Sequence, residues 1–181
     1  MSLSIVLPTE YPLILLAAVI LTIECFMLGP LLIGPTRFRI FNKEFMEQFK
    51  EEHEKAFGKG TEPAVGGFPD CGDGRYSEKL EYKSWVEFNN AMRVHMNFVE
   101  SLPLMITVLL VSGLYLPAIT MVIGFLNCGT RLIFIIMYVK FGSDYRRLGA
   151  QLGGAPLYIL GWVSFGIAIY DACKTGNTLE L

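Results

Sequence analysis

VHMNFVESLPLMITVLLVSGLYLPAITMVIGFLNCGTRLIFIIMYV, residues 94–139, holds two apolar runs with almost nothing between them. Residues 94–114 and 118–139 each approach the roughly 20 apolar residues that cross a hydrocarbon core about 30 Å thick. The turn from Gly113 to Pro117 is too short for anything but an antiparallel hairpin of helices. Two further runs flank this hairpin, at residues 11–34 and 152–172. Four spans make the chain an all-α integral membrane protein, a single domain built as a four-transmembrane-helix bundle.

Composition agrees with that reading. Of 181 residues, 52% are hydrophobic and 18% charged, with a mean hydropathy of +0.45, more apolar than ordinary soluble domains. A net charge of -2 and a pI near 5.7 supply no basic field for a nucleic-acid backbone, which excludes that class of partner. Cys25, Cys71, Cys128 and Cys173 stand far apart, and only His53 and His95 accompany them, so no metal site or disulfide framework is expected. Cys25, Cys128 and Cys173 fall in apolar runs and read as buried apolar residues. The first run has no basic stretch before it and no small-residue cleavage site after it, so it is read as a retained helix.

Twelve of the 15 lysines and arginines lie within residues 37–83 and 140–147, in the two connections that four spans place on one side of the membrane. The positive-inside bias turns that inner face toward the cytosol or its organellar equivalent, with both termini on the far side. The long connection, residues 41–83, is the one segment of soluble character. Its start, with Phe45 and Phe49 among mixed charges, reads as a short amphipathic surface helix. Residues 58–74 are rich in Gly and Pro and should be irregular, with Asp70 to Gly74 a solvated turn. Ser84 followed by Glu87 forms a capping box that should start the second spanning helix.

That helix carries Arg93, Asn97 and Glu100. At about 100° per residue, offsets of four and seven put all three on one face, with His95 on roughly the opposite side. Charged side chains in a span are expensive and mark an interior or a wet cavity. Counted from the inner face, Glu100 and Arg131 reach about the same depth, roughly 10 Å, so an ion pair tying two helices is expected. Arg37, Arg39, Tyr138, Arg146 and Arg147 lie near the same mouth. Such arginines either anchor lipid phosphates or build an anion pocket that holds carboxylates and lowers the pKa of a thiol.

The stretch FNNAMRVHMNFVE, residues 88–100, is similar to the Arg-x-His-x-Asn-x-x-Glu motif of the membrane-associated proteins of eicosanoid and glutathione metabolism (MAPEG). GTRLIFIIMY at 129–138, RRLGA at 146–150 and EYPLILL at 10–16 extend the resemblance, which looks most like the type 3 microsomal glutathione transferases. The resemblance implies a homotrimer that binds glutathione as co-substrate between subunits at the inner face. It implies that Arg93, Asn97 and Glu100 hold the tripeptide, supported by Tyr138 and by Arg37 or Arg39. Arg146 or Arg147, the former preferred, would stabilise the thiolate that conjugates a lipophilic electrophile or reduces a lipid hydroperoxide. Family members with transferase activity usually carry Tyr where this chain has Phe134, and many have an aromatic residue where it has Ser101. The long connection is also longer than expected for the family. These departures fit an alternative, a catalytically silent accessory subunit docking other membrane subunits through residues 41–83, or a lipid-binding scaffold. Either an endoplasmic reticulum or a mitochondrial membrane suits the chain.

Overall fold

The computed structural model describes residues 7–174, apart from the side chains of residues 146–150. Regular structure among the described residues is helical, and four helices are long and apolar enough to cross a membrane. The first comprises α1 (Tyr11–Leu28), a π-helical turn (Gly29–Ile33) and α2 (Gly34–Ile40), running as one span of 30 residues. It extends past the expected end at Gly34 because the helix absorbs two prolines. Pro30 and Pro35 lack the N–H that a regular turn uses, and a widened turn between them lets the Gly34 N–H bond back to the Gly29 carbonyl.

The other spans are α5 (Tyr82–Tyr115), α6 (Pro117–Phe141) and α7 (Arg146–Lys174). Pro117 opens α6, where its missing N–H costs nothing, and Gly142 at φ 88° closes it in a conformation that side chains disfavour. The capping box expected at Ser84 is not used: α5 already starts at Tyr82, and the Trp85 N–H bonds the Glu81 carbonyl at 2.9 Å. Glu87 instead pairs with Arg39.

The chain divides into two compact units, one made of residues up to Glu24 with those from Val99 onward, the other Cys25–Phe98. In the first, small residues set the helix approaches. A side-chain carbon at Gly124 would stand 3.1 Å from Ala17 and 3.2 Å from Leu109, and one at Gly153 would collide with Thr130 Oγ1. Asn127 bridges the α6–α7 contact by donating to the Gly153 carbonyl at 2.8 Å. Such approaches are how helices associate where lipid gives no hydrophobic drive. Cys25 and Cys128 are buried as expected, whereas Cys173 is exposed, because the last turn of α7 turns that face outward.

The second unit has a core of its own. Asn42 caps α3 (Lys43–Glu47) by accepting from the Phe45 N–H at 2.9 Å, and α4 (Lys50–Phe57) follows. Phe41, Met46 and Phe49 pack with Ile40, Phe88 and Met92, the Phe41 and Phe88 rings meeting edge to face at 4.9 Å. The connection is thus folded rather than a surface helix followed by loose chain.

Candidate functional site

Arg93, Asn97 and Glu100 lie along one face of α5, and all three are exposed on the protomer. Seven residues of helix spread them over about 10 Å, the reach of a short extended peptide. Phe88, Met92, Val94 and Phe98 of the same helix are buried. The polar face is therefore a consequence of helical periodicity in residues 88–100, with Phe88, Met92, Val94 and Phe98 turned inward and Met96 and Val99 left exposed beside it. His95 is half-buried and off that stripe.

Arg131 is buried and donates to Ser101 Oγ at 2.8 Å, and Glu24 is in electrostatic reach of it. The ion pair expected between Glu100 and Arg131 does not form. One residue along α5 is a rotation of about 100°, which turns Ser101 toward Arg131 and leaves Glu100 exposed on the Arg93 stripe. Tyr138 is buried with its ring edge-on to Phe134, centroids 5.6 Å apart. Arg146 and Arg147 begin α7, and their side chains lie outside the described residues.

Arg37 is the largest departure from expectation. It is 4% exposed and is not offered to a ligand. Its guanidinium donates to the Gly66 carbonyl at 2.9 Å and to the Asp70 carbonyl at 2.5 Å. Phe68 covers it with a ring centroid at 4.2 Å and Phe88 with one at 5.0 Å. Arg37 therefore clasps the glycine-rich segment onto the end of the first span, a role for which a planar fork with five donors is suited. Arg39 is exposed and engaged with Glu87.

The turn at Asp70 is also not solvated. The carboxylate is buried and accepts from the N–H groups of Gly72 (2.8 Å), Gly74 (3.1 Å) and Ser77 (2.7 Å), and from Ser77 Oγ (2.6 Å). Gly72 at φ 110° lets the chain wrap around it. Burial alone would raise the Asp70 pKa, but the bonds from Ser77, Gly72 and Gly74 together outweigh it and hold the carboxyl below the usual carboxylate range. A depressed folded-state pKa contributes stability fully present above the unfolded value, about 3.9, and lost as pH falls through the folded value. The 58–74 segment is accordingly expected to resist protease at neutral pH and to open only as the pH falls through the depressed Asp70 value, below the usual carboxylate range. An Asp70→Asn variant should be cut readily at neutral and at acid pH alike, as limited proteolysis with one neutral-active and one acid-active protease can show.

A cleft of about 480 Å³ opens between the Phe49, His53 and Phe57 face of α4 and the loop bearing Cys71, Arg75 and Tyr76. Arg75 pairs with Glu52 at its edge. Sequence reasoning missed this cleft and the Asp70 hub. The available signal was the Asp70, Gly72, Gly74 and Ser77 spacing, which suits an aspartate gathering N–H groups in a turn.

The MAPEG family model matches residues 35–166, which covers the polar stripe of α5, the α5–α6 hairpin and most of α7. No curated protein and no solved structure matches the chain. With that match over most of its length, with four spanning helices and the Arg93, Asn97 and Glu100 stripe on the second of them, the chain belongs to the MAPEG family.

Proposed function

We propose that the protein is a membrane-bound glutathione transferase or peroxidase acting on lipophilic electrophiles or lipid hydroperoxides. Membership of a family of membrane proteins in glutathione and eicosanoid metabolism supports the general class. The observation that carries the finer reading is the exposed stripe of one cation, one amide and one anion along the middle of α5. Glutathione has two carboxylates, two amides and an ammonium. The Arg93 fork suits a carboxylate bidentately, Asn97 suits a peptide group, and Glu100 suits the ammonium.

In this reading Arg146 or Arg147 stands by the sulfur and favours the thiolate, which is the nucleophile. Its lone pair forms the S–C bond to the electrophile as the leaving group departs with its electrons. Exposed charges on a spanning helix need cover, and a homotrimer, with the ligand between neighbouring copies, supplies it. Arg37, occupied in its clasp, has no part in holding the tripeptide. An endoplasmic reticulum or mitochondrial membrane, with the long connection on its positive inner side, fits the distribution of Lys and Arg.

Conjugate formation between glutathione and a chlorinated dinitrobenzene should exceed the buffer rate for the purified protein in lipid nanodiscs. Arg93→Ala should lower kcat/KM for glutathione by at least about tenfold, as expected for loss of a charge-assisted bidentate contact, with helicity unchanged. A wild-type rate equal to that of buffer would overturn the assignment.

A further inference from the structure

Phe38 is 54% exposed, Val65 42% and Phe68 56%, and the Phe38 and Phe68 rings touch with centroids 6.5 Å apart. A loop that merely wandered over a surface would turn two such side chains inward. Here it cannot. The Gly66 N–H bonds the Phe41 carbonyl at 2.8 Å, and Arg37 holds the carbonyls of Gly66 and Asp70, so the backbone on both sides of Phe68 is fixed. Gly66 permits this fit: a side-chain carbon there would stand 3.0 Å from the Phe38 ring, at a φ of 95°. A buried arginine, two glycines of positive φ and a small core are thus spent on presenting an apolar pair outward.

What meets that pair follows from where Phe38 stands. It lies in the last turns of the span Tyr11–Ile40, whose 30 residues rise about 45 Å. That matches a bilayer with both headgroup layers, about 40–45 Å, and exceeds the hydrocarbon core alone. Phe38, exposed in the last turns of that span, therefore falls at headgroup depth, and Phe68 beside it is held at the same level. Aromatic residues favour this layer, where an apolar body meets polar surroundings. The α5 start adds exposed Tyr82 and Trp85, whose rings stack at 6.2 Å, at the other end of the same connection.

We propose that Val65 and Phe68, seated on Phe38, form a membrane anchor through which the long connection inserts into the headgroup boundary of the lipid around its own first span. The connection is then a layer bound to the bilayer surface rather than a domain projecting into water.

Tryptophan at position 68 reports on this directly. In a Phe68→Trp variant that also carries Trp85→Phe and Trp162→Phe, the new indole should lose about half its emission in vesicles of phosphatidylcholine brominated at the shallow end of the acyl chains. Aqueous acrylamide should quench it weakly; an anchor is expected to sit about 5–10 Å into the boundary. Strong acrylamide quenching with no effect of bromolipid would overturn the proposal, and quenching by neither would overturn it in favour of a protein partner over the patch. Val65→Trp in the same background gives a second reporter if the first fails to assemble. None of these readings depends on glutathione, so the outcome is independent of the assigned activity.

Discussion

Replacing Arg37 with methionine is expected to unfasten the long connection while leaving the spanning helices in place. The substitution keeps much of the aliphatic bulk and removes both donors, so the Gly66 and Asp70 carbonyls lose their partners. Two hydrogen bonds to a charged group, plus the contact with Phe68 and Phe88, amount to roughly 3–5 kcal/mol for the connection. Arg37→Lys should restore little, because one ammonium cannot serve two fixed carbonyls in the plane of a fork. The reading is proteolysis: cleavage within residues 58–74 at neutral pH for both variants, against resistance of the wild type. A variant with unchanged resistance would return Arg37 to the lipid-anchoring or ligand-binding roles its position suggested.

Replacing Arg131 with methionine should be costlier for the membrane unit. Ser101 Oγ loses its donor, and Glu24 loses the nearest opposing charge while one of its oxygens, Oε2, is buried without a hydrogen-bond partner. Loss of the hydrogen bond from a charged donor costs about 1.5–3 kcal/mol, and the weakened field at Glu24 adds to it. The thermal midpoint of the purified protein should therefore fall by several degrees or more. The diagnostic comparison is the double variant Arg131→Met, Glu24→Gln. It should recover part of the loss, since the stranded carboxylate is gone. A double variant no more stable than Arg131→Met alone would show that Glu24 and Arg131 are not coupled.

These two arginines show what could be read from the sequence and what could not. Spans were legible because crossing lipid demands about 20 apolar residues, a requirement that is local in sequence. The level at which Arg131 on α6 meets α5 was legible for the same reason, since helical rise converts residue number into distance. Its partner was not, because Ser101 and Glu100 differ by one residue in depth and by about 100° in direction, and only packing decides between them. Arg37 was harder still. Its partners stand 29 and 33 residues away in a segment whose Gly and Pro content signals only turns. Glu87 likewise looked like a helix cap at short range and proved to serve Arg39, 48 residues earlier. The stripe of Arg93, Asn97 and Glu100 was fully legible, since one helix carries it.

Glutathione binding to the protein in lipid nanodiscs, measured by calorimetry, bears most directly on the assigned chemistry. Saturable binding at up to millimolar glutathione, weakened at least about tenfold, or 1.4 kcal/mol, in Arg93→Ala, is the predicted result. Its persistence in Arg37→Lys would confirm that the clasp and the ligand site are separate. No detectable binding by folded wild-type protein would contradict the glutathione reading.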